Sequence, residues 1–342
     1  MMLAIIRRFI RYFKSEILPV PSQLFPVLFC TFLFFLPLIA KNSYLLLILS
    51  FANIYSIFAV SWDLLSGYTG QFCFGHALFF GVAAYTCAVL NLNFGLSPWI
   101  TIPIGALTAV AVGLIVGVPC LRLRGIYLSL ATVSFPTILL GIVFAFPEQT
   151  GGELGLYGIT PLSSPLCNYY LILILMLVSS FIVWKIVNSR IGIIFQAIRE
   201  GEVTARASGI NTAKYKLLAF IISGFFAGLA GGVYAHWMRT VGPSVLTTAL
   251  SFQIITMVIL GGLATIYGAI GGAYIVTLLT EYLRFTIEWR VLLYSAAVAV
   301  VLICIPRGIL VWLRDRVEKL CPKCKKRNLF TRRLCRSCGV NI

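Results

Sequence analysis

Residues 64–86, LLSGYTGQFCFGHALFFGVAAYT, place glycines, a glutamine and one of the chain's two histidines within sequence otherwise greasy enough to live in lipid. The rest of the chain decides what this stretch means. Of 342 residues, 60% are hydrophobic and only 11% charged, whereas soluble domains carry about 25% charged residues. Apolar runs of about 20 residues, each long enough to cross a bilayer, recur from Phe25 to Trp312. A β-barrel would instead show alternating segments of about ten residues. The composition therefore predicts an all-α, polytopic transmembrane bundle occupying residues 25–312. About ten spans are expected, near 25–40, 43–64, 73–93, 98–118, 126–146, 167–187, 216–237, 250–265, 267–284 and 291–312.

The net charge of +17 invites a nucleic-acid reading, but the positions of the charges point to membrane topology. With ten crossings, only Lys41, Arg239, Arg284 and Arg290 of the 27 basic residues fall outside. The others gather on one side, as the positive-inside rule expects for the cytoplasm. Both termini are thus expected to be cytoplasmic. The opening MMLAIIRRFIRYFKSE has its basic residues (Arg7, Arg8, Arg11, Lys14) after the short apolar run, with no small-residue cleavage site. It reads as a basic interfacial segment over 1–24.

Two segments are interrupted by glycine: 64–75 and LGGLATIYGAIGG at 260–272, the latter containing Gly261 and Gly262. Paired interruptions in two halves of a membrane chain point to a pathway near the midplane, and 250–284 is expected to form two short or interrupted helices. The Gly-, Pro- and Ser-rich stretch 147–166 reads as an outside loop. On the inside, 188–215 (NSRIGIIFQAIREGEVTARASGINTAKY) spaces Ile194, Ile198, Ala205 and Ala207 at roughly helical intervals among charges. A short amphipathic helix is expected there, ended by Gly209 and Asn211.

Five segments in this order carry a resemblance: WDLLSGYTGQFCFGHALFFGVAAYT, LRLRGIYLSLATVSF, TGGELGLYGI, SRIGIIFQAIREGEVTARASGINTAKYKLLAFIISGFFAGLAGGVYA and VILGGLATIYGAIGGA. Over roughly residues 40–312 the chain resembles the LivM-like permease subunits of branched-chain amino acid ABC importers. Related urea and short-amide permeases share much of the pattern. The resemblance implies a homologous LivH-like permease subunit, two cytoplasmic ATPases and an extracytoplasmic amino-acid-binding protein as partners. It implies a transport subunit and no enzyme. Independently, no GxxxxGK[ST] phosphate loop occurs, so ATP would be used only through partner subunits.

On that resemblance, the stretch quoted first would border the solute path. Non-helical backbone survives in a bilayer only where protein buries it or where it lines a cavity. Gly67, Gly70, Gly75 and Gly81 permit bends and close helix contact. Tyr68, Thr69, Gln71 and His76 either satisfy freed backbone groups or face the solute, and His76 reads as a hydrogen-bonding structural residue. Asp63, costly in lipid, faces the interior or caps a helix at the cytoplasmic edge. Relatives often carry Asn there, which weakens any proton-coupling role. The resemblance also makes 199–210 the segment seated on the ATPase, through Arg199, Glu202, Ala205, Arg206 and Gly209. It departs from the family at Gly201, where helix continuity is in question.

The tail, 313–342, lies beyond the resemblance. CPKCKKRNLFTRRLCRSC (321–338) holds two CxxC pairs, Cys321/Cys324 and Cys335/Cys338. Two such pairs supply a tetrahedral S₄ site for zinc, and iron fits nearly as well on geometry. A small zinc-ribbon-like tail is expected. Its basic residues suit anionic membrane lipids, and with Phe330 alone available for stacking, nucleic acid is not the expected partner. The reading is therefore a plasma-membrane ABC importer permease for branched-chain or other hydrophobic amino acids, working by alternating access driven by partner ATPases. The rivals are a urea or short-amide permease, a membrane-anchored interaction protein using its ribbon, and a secondary transporter built on Asp63 and Glu281.

Overall fold

The computed structural model describes residues 29–37, 43–120, 126–285, 290–305, 307–321, 324, 327–329 and 338. The segment 1–24 and Cys335 lie outside the described residues. Helix α1 spans 29–37. It is followed by α2 (Ser43–Trp62), α3 (Ala77–Phe94), α4 (Pro98–Cys120), α5 (Ile126–Ala145) and α6 (Pro165–Val187). Two short helices, α7 (Arg190–Glu200) and α8 (Glu202–Ala207), precede α9 (Thr212–Met238). Then come α10 (Thr248–Gly261), α11 (Ile266–Tyr282), α12 (Arg290–Cys304) and α13 (Ile309–Val317).

Among the described residues, six helices are long and apolar enough to cross a membrane, or seven if the bent pair α10–α11 counts as one span. The sequence predicts about ten crossings. The difference lies at the ends of the chain and in the bent pair. Of the span expected over 25–40 only 29–37 is among the described residues, and the span expected over 291–312 is divided into α12 and α13 by Gly308 at φ +87°. Helices α10 and α11 meet at 118°. With 14 and 17 residues they measure about 21 and 26 Å, short of a hydrocarbon core of about 30 Å. The glycine-marked interruption is therefore a sharp reversal between two short helices.

Helix α2 is apolar all round and is the most enclosed span, as a helix without a polar face must be. It packs on α6 and α11 on one side and on α9 on the other, while α3, α4 and α9 pack on one another. That trio closes through small residues. A Cβ on Gly228 would sit 2.7 Å from the Ala109 Cβ and 2.9 Å from the Ala106 Cα of α4. Such close backbone approach replaces the hydrophobic drive that lipid does not supply.

Three polar links tie α2 to its antiparallel neighbour α11 and the turn before it. Tyr44 donates to Glu281 at one end, Tyr274 donates to Asn53 Oδ1 at 2.5 Å midway, and Ala264 N–H donates to Asp63 at the other. The Asp63 end also carries α7, α8 and α13. The opposite end carries an antiparallel pair, β1 (Leu156–Tyr157) with β2 (Thr240–Val241). There His236 fixes the loop: its ring nitrogens lie 2.7 Å from Thr101 Oγ1 and 2.8 Å from the Thr160 carbonyl oxygen.

Candidate functional site

After Trp62 the helix does not stop but widens into a π-helical turn, Asp63–Tyr68, and residues 71–76 then run without regular structure. Widening releases backbone groups from their usual partners, and side chains replace them. Thr69 Oγ1 donates to the Leu64 carbonyl at 3.1 Å, and Trp62 Nε1 to that of Cys73 at 2.7 Å. Ser66 Oγ donates to the Gln71 carbonyl and accepts from the Cys73 amide. Neighbouring helices complete the set: Thr132 accepts from Phe74 N–H, Ser129 donates to the Phe72 carbonyl, and Ser251 accepts from Ala77 N–H. Gln71 reaches the Lys216 carbonyl at 3.4 Å.

Tyr68, Thr69, Gln71 and His76 are thus all buried in this chain. His76 stacks on Phe58 at 5.3 Å and meets Ser61 Oγ at 3.0 Å through Nε2. Thr69 and Gln71 thus bond main-chain carbonyls, while His76 bonds the Ser61 hydroxyl.

Asp63 joins this interruption to the second one. It is 1% exposed, and its Oδ1 accepts from Ala264 N–H at 2.8 Å across 201 residues of sequence. Its Oδ2 has no hydrogen-bond partner within the described residues. Gly67 makes the arrangement possible, because a Cβ there would collide with Asp63 Oδ1 and stand 2.9 Å from the Ala264 nitrogen. On the far side the turn contains Gly262 at φ +128° and Ala264 at φ +56°, and Gly261 packs directly on Gly268. Gly70, at φ +74°, lies against Arg199: a Cβ would be 3.2 Å from that residue's Cα and Cγ. Helix α7 therefore touches the first interruption, which in turn holds the second.

Two of the cavities that border the bundle differ in their walls. The larger, about 460 Å³, is apolar and lies between α1, α2, α6 and α11, with Leu33, Met176 and Tyr274 in its wall. The smaller, about 250 Å³, lies among α2, α3, α9 and the start of α10. Its wall carries Tyr55, Tyr234, Ser244, Thr247 and Gln253 beside Phe80 and Leu250. Sequence reading missed these residues because Tyr55 and Tyr234 sit inside uniformly apolar runs that give no sign of which side faces a space.

The 188–215 region is not one helix. Gly201, in extended conformation, separates α7 from α8, so the departure noted at this position coincides with a break. Ser189 caps α7, and Asn211 caps α9 by accepting from Lys214 N–H. Glu202 bonds inward, to Lys216 Nζ at 2.5 Å and Arg206 at 2.8 Å. Arg206 Nε donates to Thr212 at 2.9 Å. Ala205 is buried, and Gly209 forms a left-handed turn at φ +83°. The outward apolar groups are Val203, 72% exposed, and Ile193, 66% exposed. Val203 was not singled out in the sequence, although it lies beside Glu202.

In the tail, β3 (Glu318–Leu320) pairs with β4 (Arg327–Leu329). The sulfurs of Cys321, Cys324 and Cys338 all lie within 4.8 Å of one another, and those of Cys321 and Cys338 are 3.5 Å apart. Four thiolates at about 2.3 Å from a tetrahedral zinc stand about 3.8 Å apart, so the three described sulfurs fit that ion.

A family model described as branched-chain amino acid transport system, permease component, matches residues 44–306. The high-affinity branched-chain amino acid transport system permease protein LivM of Escherichia coli (strain K12) is 29% identical, over 78% of this chain and 69% of its own length. A probable branched-chain amino acid transport permease protein LivH of Methanocaldococcus jannaschii is 27% identical over 65% of this chain and 75% of its own length. The autoinducer 2 import system permease protein LsrC of Salmonella typhi is 28% identical over 56% and 58%. No solved structure matches the chain.

The Asp63 link yields a graded expectation. Asp63→Asn keeps an acceptor for Ala264 N–H and should unfold in detergent within a few degrees of the parent. Asp63→Ala leaves that buried amide unpaired, at a cost of about 1–3 kcal/mol, and should unfold distinctly earlier. Equal thermal midpoints for the two variants would show that the bond does not hold the interruptions together.

Proposed function

The chain belongs to the branched-chain amino acid transport permease family, and we propose that it forms one half of the membrane domain of an ABC importer for branched-chain amino acids. The observation that carries this reading is the family match across both interruptions, residues 44–306. A homologous LivH-like subunit supplies the other half, two cytoplasmic ATPases supply the energy, and an extracytoplasmic binding protein delivers the solute. Both termini lie in the cytoplasm, which puts α7, α8 and the Asp63 end of the bundle beside the ATPases. The basic excess at this end supports that orientation. The solute crosses by alternating access between the two halves and undergoes no chemical change.

Within this reading four of the five coupling residues take one of two parts, behind a contact made by Val203. Val203 offers the apolar knob for a groove on the ATPase. Glu202, Arg206 and Lys216 form the brace that keeps α8 fixed to α9, while Ala205 packs behind it. Arg199, against Gly70, passes displacement of α7 to the interruption. The tail holds one zinc ion through Cys321, Cys324, Cys335 and Cys338, with iron as the competing metal.

Three outcomes test this reading. In proteoliposomes, leucine uptake should require ATP, the ATPases, the sister subunit and the binding protein together; uptake by this chain alone would defeat the importer assignment. Val203→Asp should lower uptake about tenfold by placing a desolvated charge in the ATPase contact, while the bundle keeps its thermal midpoint. Unchanged uptake would remove Val203 from that contact. Metal analysis of the purified full-length chain should find one zinc per molecule, lost in Cys321→Ser; a metal-free parent chain would end the zinc proposal.

A further inference from the structure

An importer subunit needs somewhere for the solute to rest, and the polar residues of the first interruption are sealed inside the wall. We propose that the 250 Å³ cavity is this chain's share of the solute site. It would take a small, net-neutral solute with an apolar side chain, oriented by Tyr55, Tyr234 and Gln253. This assignment rests on the importer reading and adds the place where cargo is held.

The first argument is the state of the polar groups. Neither tyrosine hydroxyl nor the Gln253 amide makes a hydrogen bond to a described residue. By contrast, the serines and threonines around the first interruption are spent on backbone. Tyr55 lies twelve residues into α2, about 18 Å from its start, which is near mid-bilayer depth. A polar group left unpaired against lipid there is costly. The wall is therefore suited to water, solute or a sister subunit, and not to acyl chains.

The second argument is rigidity. Phe51 stacks on Tyr55 with centroids 6.1 Å apart and also packs against Tyr234 at 6.1 Å. Phe80 meets the Tyr234 ring edge-on at 5.2 Å. The hydroxyls are thus presented by fixed rings, as a site needs if it is to orient a ligand at low entropic cost. Beyond the tyrosines, Leu246 is keyed against Gly81 of α3, where a Cβ would collide with it. This holds the turn that carries Ser244 and Thr247.

The third argument is selectivity. Among the described residues no charged side chain lines the cavity, so a solute carrying net charge would lose hydration without a counter-charge. A zwitterion cancels its own charge and can direct its two ends to hydroxyls and an amide. Its apolar side chain can lie on Phe80, Val245 and Leu250. The larger cavity, apolar throughout its wall, has nothing comparable with which to fix such a molecule.

The experiment uses the complete reconstituted importer, measuring both leucine uptake at saturating loaded binding protein and ATP hydrolysis. The double variant Tyr55→Phe, Gln253→Leu removes polar atoms at nearly constant volume. Uptake should fall at least about fivefold, the size of one lost hydrogen bond, while hydrolysis stays within about twofold of the parent. Ala249→Trp, which fills the cavity, should abolish uptake with hydrolysis retained. Ile174→Trp, on an exposed face of α6, should change neither. Parent-like uptake in both cavity variants, or uptake and hydrolysis falling in parallel, would overturn the assignment. A parent complex that hydrolyses ATP but carries no leucine would instead overturn the importer reading itself.

Discussion

A peptide group that leaves the helix inside a bilayer must find its hydrogen-bond partner in protein, and this chain is organised around that requirement at two places. Between Asp63 and His76 the partners are short side chains from the same stretch and from two neighbouring helices. Between Gly261 and Ile266 a principal partner comes from the first interruption itself, the Asp63 carboxyl on the Ala264 amide. Neither interruption can be completed without its surroundings. The helices bordering them must therefore be assembled together, which explains why α2, the helix leading into the first interruption, is also the most enclosed.

The same geometry gives the membrane domain a line of mechanical contact. Arg199 on α7 presses on Gly70, the turn around Gly70 contains the residues that position Asp63, and Asp63 holds the turn at the end of α10. Helix α10 then runs as a 14-residue rod to its other end, where Gln253 and Leu250 face the polar cavity. Contacts thus run continuously from α7 to the cavity wall through one carboxyl and one short helix.

Much of this was legible in the sequence. The long spans follow from run length, the reversal at 262–265 from its glycines, and the division at Gly201 from a helix breaker set in a helical pattern. The twin CxxC pairs announced a thiolate cluster, of which three sulfurs are seen gathered. Other features had no local signature. A π-helical turn is written in the same residues as an α-helical one. The pairing of Asp63 with a backbone amide 201 positions away depends on packing that no short window contains. Tyr55 and Tyr234 lie in runs so uniformly apolar that periodicity cannot tell a wall from a cavity. Glu202 was singled out for its charge, but its two cationic partners turn it inward and leave Val203 outward.

The junction between the interruptions is set close to balance. Ala264 occupies the left-handed region, at φ +56°, which costs a residue with a Cβ about 1–2 kcal/mol. A hydrogen bond to a carboxyl returns about 0.5–3 kcal/mol, depending on its charge. The bond offsets the strain of the turn it holds, so its loss removes the acceptor that keeps Ala264 in that conformation. Breaking it would expose the Ala264 amide but would also free the turn to relax. A glycine at 264 would remove the strain, whereas Ala264 makes the turn depend on its bond to Asp63.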